Sequence, residues 1–191
     1  MTALTILRQL PALFRYVDVG KYTPHANVFL TRAVGKNLVE RVSRGVYINA
    51  LRESRPGIEE VACFLRTPSY VSCEWALNCH GVLLQSPVVC TVLTLDTAVG
   101  PSRNILYSGI TIEFSHIAPR LFKGFETQES YNMALPEKAL LDTIHLRKAI
   151  PFRDELELDR LDFSRLKRLA QDFNAPTRRL AAELEASAAG G

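Results

Sequence analysis

The chain has 191 residues, 47% of them apolar and 23% charged, which suits one medium or two small soluble globular domains and excludes a disordered or fibrous chain. No apolar run approaches the roughly 20 residues of a membrane-spanning helix. The net charge of +3 hides an asymmetry: residues 1–55 carry nine Lys or Arg against three Asp or Glu, net +6, whereas residues 56–191 carry fourteen against seventeen, net −3. Such a division suggests that the N-terminal part meets a polyanion and the remainder does something else.

In chain order, Thr2 to Leu10 reads as a helix with Leu4, Leu7, Ile6 and Leu10 on its apolar face, ended by Pro11. Arg8, Gln9 and Pro11 interrupt the apolar opening and no small-residue cleavage site follows, so we expect a cytoplasmic protein. A short helix is expected around Tyr16 to Val19 with Gly20 at the turn. The next helix is expected from Pro24 to Val34, capped by Thr23 and stopped at Gly35, with Val28, Phe29 and Ala33 facing the core. Leu38 to Val42 and Val46 to Ile48 alternate on either side of Ser43, Arg44 and Gly45, a hairpin pattern with Arg41 and Arg44 expected at its tip.

A helix followed by a basic-tipped hairpin is how a winged helix-turn-helix ends. The helix lies in the major groove and the hairpin, the wing, touches the neighbouring backbone. On that reading Asn27, Thr31 and Arg32, with His25, are the candidates for base edges, since Arg and Asn have the donor geometry to read guanine and adenine. Lys21, Lys36, Arg41 and Arg44 are the candidates for phosphate.

The turn-rich ESRPG at Glu53 to Gly57 separates this domain, residues 1–53, from a second at 58–191. There the pattern predicts helices over Ile58 to Arg66 and, capped by Ser72, through Cys73 to Leu77 with Gly81 as its stop. Strands are expected over Val88 to Leu95, Asn104 to Tyr107, Ile110 to Phe114 and Tyr131 to Leu135. A helix begins at Pro136 with Ala139, Leu140, Ile144 and Leu146 buried; Ser164 caps a further helix, and Pro176 opens a last one that frays into Ala188, Ala189 and two glycines. The fold class is therefore α+β: an N-terminal winged helix-turn-helix, then a mixed α/β domain with a mostly antiparallel sheet and C-terminal helices.

Catalytic patterns are absent from the sequence: there is no phosphate-binding glycine loop, no HExxH and no nucleophile elbow. Cys63, Cys73, Cys79 and Cys90 form no CxxC pair and read as small hydrophobes, and the four histidines lack ligand spacing, so neither a metal nor a cofactor is expected. An enzyme reading would bring Asp96 and Glu113 together with Lys123 or Lys138 around a divalent ion for phosphodiester hydrolysis. A second alternative is an interaction protein whose sheet domain binds a partner.

Four stretches, RGVY at Arg44 to Tyr47, YVSCEWALNCHGVL at Tyr70 to Leu83, FSHIAPRLFKGF at Phe114 to Phe125 and ALPEKALLD at Ala134 to Asp142, occur in an order that resembles the AbiEi-type antitoxins of bacterial type IV toxin-antitoxin systems. The resemblance implies a repressor that binds inverted repeats in its own promoter. It also implies a functional link to a nucleotidyltransferase-like toxin without a stable complex. Within this frame ALPEKALLD reads as structural, starting a helix at Pro136 and packing it. The reading is of a non-enzymatic, DNA-binding protein with no membrane association.

Overall fold

The structure is a computed structural model and describes residues 2–151 and 153–189. It divides into two compact units between Val61 and Ala62, a few residues beyond the ESRPG turn. The expected fraying at the two terminal glycines lies outside the described residues.

In the first unit α1 (Ala3–Gln9) is capped by the Thr2 side chain, which accepts from the Thr5 N–H, and Pro11 follows its end. Ile6, Leu7 and Leu10 are buried, but Leu4, expected among them, is half exposed. After β1 (Leu13–Arg15) comes the single turn α2 (Tyr16–Val19), a sequence poor in helix formers. Asp18 makes that turn possible by accepting the Arg15 N–H at 2.9 Å.

The third helix, α3 (Ala26–Gly35), starts two residues later than expected. Pro24 stays in the preceding turn, where the Thr23 hydroxyl accepts the His25 N–H at 3.2 Å and does not cap the helix. The core side of α3 is Ala26, Leu30 and Ala33, with Phe29 half-buried, while Val28 is 48% exposed. The assignment of Val28 to the core is thus corrected: positions 26, 30 and 33 define the buried stripe, and position 28 lies across the helix from it.

The hairpin is β2 (Val39–Ser43) and β3 (Val46–Asn49), turning through Arg44 and Gly45, where Gly45 has φ +78. Its register shifts between Arg41 and Ser43, a bulge that accommodates Val42. Because β3 pairs with β2 on one side and with β1 on the other, both antiparallel, the hairpin is part of a three-stranded sheet of order β1-β3-β2. Phe14 and Tyr47 stack at 5.7 Å over the core. Asn49, buried at the end of β3, donates to the Leu7 and Leu10 carbonyls, and Arg52 donates to those of Leu10 and Arg8, so the last turn of α1 is closed by residues some forty positions away.

The second unit is built on a six-stranded mixed sheet. It follows α4 (Ile58–Leu65), which crosses the division between the units, and contains β4 (Ser69–Ser72), α5 (Cys73–Cys79), β5 (Val89–Thr94), β6 (Ile105–Tyr107), β7 (Ile110–His116), β8 (Phe125–Thr127), β9 (Asn132–Ala134) and α6 (Pro136–Arg147). The strand order is β6-β7-β5-β4-β9-β8. Three pairings are antiparallel and two, β5 with β7 and β4 with β9, are parallel, so the sheet is less uniformly antiparallel than expected. Helices α5 and α6 pack on each other and on the central strands, and α7 (Phe163–Ala170) and α8 (Ala175–Ala189) pack on α6. Asp162, and not Ser164, caps α7 by accepting the Arg165 N–H at 3.0 Å.

The α+β class expected from the sequence is the class observed. At the centre of this unit sits a buried polar cluster. Lys138 on α6 donates to the carboxylate of Asp142 one turn on and, at 2.6 Å, to the Tyr70 hydroxyl. Asp142 also accepts from Ser72 at 2.7 Å and from Tyr70 at 3.1 Å, so Ser72, expected to cap α5, spends its hydroxyl on the carboxylate. All four side chains are at most 1% exposed. Burial pushes the Asp142 carboxyl up and the Lys138 ammonium down, each opposed by the other's charge, and the Tyr70 hydroxyl is driven far above its ordinary range, chiefly by burial.

Phe125 stacks on Tyr70 at 4.8 Å and Phe122 meets it edge-on at 5.3 Å. Gly124, between them at φ +76, brings its backbone so close that a Cβ would lie 3.2 Å from the Lys138 side chain. Three of the four stretches that carry the family resemblance therefore meet at the cluster of Tyr70, Ser72, Lys138 and Asp142. On the same helix His145, three residues after Asp142, is held below its ordinary value first by partial burial and then by Lys148, Lys138 and Arg120. It packs edge-on against Phe173.

A histidine kept neutral in the folded state binds fewer protons than the unfolded chain just below its usual value of 6.5. Its contribution is complete above that value and is lost as the pH falls from it toward the lowered folded value. Urea unfolding followed by the fluorescence of Trp75, the one tryptophan, is expected to show this loss, and His145→Gln should flatten that part of the profile. An unchanged slope in the variant would assign the loss to other groups.

Candidate nucleic-acid interface

All eight residues singled out for DNA lie on the surface of the first unit: Lys21, His25, Asn27, Thr31, Arg32, Lys36, Arg41 and Arg44 are exposed. The core stripe of α3 dictates which way they point. With Ala26, Leu30 and Ala33 buried, the opposite side presents Val28, Thr31, Arg32 and Gly35 to solvent.

The set divides between two grooves that flank α3. On the hairpin side Asn27, Thr31 and Val34 line a concavity of about 810 Å³ together with Tyr16, Arg41, Arg44 and Tyr47. On the α1 side His25, Val28, Arg32 and Lys36 line one of about 790 Å³ with Leu4, Ile6 and Phe29. Asn27 and Thr31 are one turn apart on one flank, and His25, Arg32 and Lys36 follow the i, i+7, i+11 course of the other.

The hairpin's place beside α3 is set by backbone bonding. The Tyr16 N–H donates to the Gly45 carbonyl at 2.8 Å, joining the start of α2 to the hairpin turn. Arg44 stands at that turn, as expected. Arg41 does not: it lies within β2 opposite Tyr47 and donates through Nε to the Ser43 carbonyl at 3.3 Å, which sets its charge back from the tip.

Electrostatically the cations are unequal. Among the described residues no carboxylate comes within ion-pairing distance of Arg32, Lys36, Arg41 or Arg44. Lys21 is the exception, its ammonium 2.9 Å from Asp18. That carboxylate is held below its usual range first by the Arg15 N–H and then by Lys21, and it raises Lys21 in turn. Of the phosphate candidates, Lys21 is therefore the one with a prior engagement, while Lys36, Arg41 and Arg44, like the base candidate Arg32, have their charge available for an external group.

The residues of the alternative hydrolytic reading are engaged separately. Asp96 accepts the Ala98 N–H at 2.8 Å and lies 3.8 Å from Arg66. Glu113 is clamped by Arg147 at 2.6 Å and accepts from Thr91 at 3.0 Å. Lys123 pairs with Asp172 at 2.8 Å, and Lys138 is inside the buried cluster. Glu113 lies within β7 opposite Thr91 of β5, whereas Asp96 lies two residues beyond the end of β5. Among the described residues no group of three or more His, Cys, Asp or Glu side chains is arranged to hold a metal ion, and the three buried cysteines and exposed Cys79 are unbridged.

No helix among the described residues is long and apolar enough to cross a membrane. No family model matches the sequence, and no curated protein matches it. Among solved structures the chain is similar to the one described as the crystal structure of RV2827C protein from Mycobacterium tuberculosis, with a TM-score of 0.65 and 13% identity over 97% of this chain and 75% of that chain. At that identity the likeness speaks to the fold alone.

Proposed function

We propose that the first unit is a winged helix-turn-helix that binds duplex DNA in a sequence-dependent way, with α3 as the reading helix and the β2–β3 hairpin as the wing. The observation that carries this reading is the row of cations Arg32, Lys36, Arg41 and Arg44, without an ion-pair partner among the described residues, on and beside the solvent face of α3. The order helix, strand, helix, helix, strand, strand, with the hairpin directly after α3 and held in a β1-β3-β2 sheet, supports it. The net charge of +6 over residues 1–55 supplies the sequence-independent attraction to phosphate.

The biological role follows from the resemblance noted above: a cytoplasmic repressor of its own operon that counteracts a nucleotidyltransferase-like toxin, without forming a stable complex with it and without enzymatic activity of its own. The second unit, with its buried Lys138 cluster, would carry the antitoxin function.

The test is a fluorescence-anisotropy titration of the whole protein against its own upstream intergenic DNA and a scrambled duplex of equal length, at two salt concentrations. Preference for the upstream duplex by a factor of roughly 10³ or more, with affinity falling steeply in salt, is the expected result. Weak and equal binding to both would overturn the reading. The antitoxin role is tested separately, by whether co-expression relieves growth arrest caused by a nucleotidyltransferase-like protein encoded beside the gene.

A further inference from the structure

Val28 is the one large apolar side chain in the middle of the polar solvent face of α3. It is 48% exposed, with His25 one turn before it and Thr31 and Arg32 one turn after, all exposed. The core has no use for it, since Ala26, Leu30 and Ala33 fill the buried stripe at 3 to 4% exposure. As a β-branched residue it is also a poorer helix former than alanine, so neither the buried stripe nor helix propensity accounts for valine at this position.

We propose that Val28 is a specificity residue that reads the C5-methyl group of a thymine in the major groove. The inference rests on the DNA-binding reading of α3 and adds to it the base, the atom and the residue. Thymine is the one base that presents a methyl group in the major groove, the largest apolar group an apolar side chain carried into that groove can meet. The polar neighbours make the placement specific. Val28 and Arg32 are one helical turn apart, about 6 Å along the axis, so the thymine falls within about two base pairs of the base that Arg32 reads.

Uracil differs from thymine by that methyl group alone, which makes the test chemical and local. Duplexes that bind the full-length protein would be selected from a random library, and each thymine of the best one replaced in turn by deoxyuridine. The parent protein is expected to lose roughly three- to fivefold in affinity at one position, about the effect of leaving one methyl group unburied. Val28→Ala, which keeps the helix, is expected to bind the thymine and uracil duplexes equally. Val88→Ala, at an exposed valine of the second unit, should retain the parent's penalty.

A parent that tolerates uracil at every position overturns the proposal, and so does a uracil penalty that persists undiminished in Val28→Ala. Failure of the underlying reading has a different signature, because no duplex would then be enriched and no thymine would be available to replace.

Discussion

Replacing Lys138 by methionine is expected to destabilise the second unit by about 3–5 kcal/mol, the usual cost of leaving one partner of a buried ion pair without its counter-charge. Methionine fills much of the volume and cannot neutralise Asp142, whose carboxylate would keep only the Ser72 and Tyr70 hydroxyls as donors. The double variant Lys138→Met with Asp142→Asn removes the charge and keeps an acceptor for those hydroxyls. It should therefore recover most of the loss. Urea unfolding monitored at Trp75 measures both. A cost under about 1 kcal/mol for the single variant would mean that the pair is already neutral in the folded protein, with the proton of Lys138 resting on Asp142.

Under the DNA-binding proposal the second large effect is expected at Arg32. Arginine reads guanine through two parallel hydrogen bonds worth about 1–3 kcal/mol of discrimination, so Arg32→Ala should reduce the preference for the upstream duplex by roughly 10- to 100-fold while retaining weak binding. Arg44→Ala is expected to behave in the contrasting way, weakening binding to specific and scrambled duplexes alike and lowering the salt slope by about one unit. Equal affinity of the Arg44 variant and the parent across a salt titration would remove the hairpin from the interface. A loss of discrimination at Arg44 with none at Arg32 would place the reading surface on the hairpin flank of α3, around Asn27 and Thr31, and not on the α1 flank.

Where local pattern and tertiary environment agree, the sequence was a good guide. Alternation through Leu38 to Ile48, broken by a Gly-containing turn, marked the hairpin, although only β2 has exposed positions and β3 is buried throughout as the middle strand of its sheet. The solvent side of α3 was legible because polar residues recur there at helical spacing. The failures have physical causes. Val28 looked like core because it is apolar, and only the observed phase of Ala26, Leu30 and Ala33 shows that it lies across the helix from them.

β4 was hidden for a different reason. Ser69 to Ser72 is buried on both faces and shows no alternation, and Ser72 directly precedes a helix, so it read as a cap. β8 is a three-residue edge strand with two exposed positions, too short to leave a pattern. Lys138 and Asp142 were the hardest to read. Opposite charges four residues apart usually mark a solvated helix face, whereas α6 is buried all round from Glu137 to Ile144. The signal that could have found them was the single glycine flanked by two phenylalanines in FKGF, which shapes a close cover over a long side chain.

The way β3 is bonded on both edges bears on conformational entropy. A hairpin tethered only at its root would be ordered by docking, and each side chain or segment immobilised in this way opposes binding by about 0.5–1.5 kcal/mol. Here the backbone of the turn is already anchored by the β1 pairing and by the Tyr16 bond to Gly45, leaving chiefly the rotamers of Arg41 and Arg44 to be ordered. Under the DNA-binding proposal the hairpin then acts as a fixed ruler, holding the Arg44 charge at a set offset from α3. A duplex whose groove width departs from that offset would have to deform to reach both, so DNA shape would be selected at positions where no side chain touches a base.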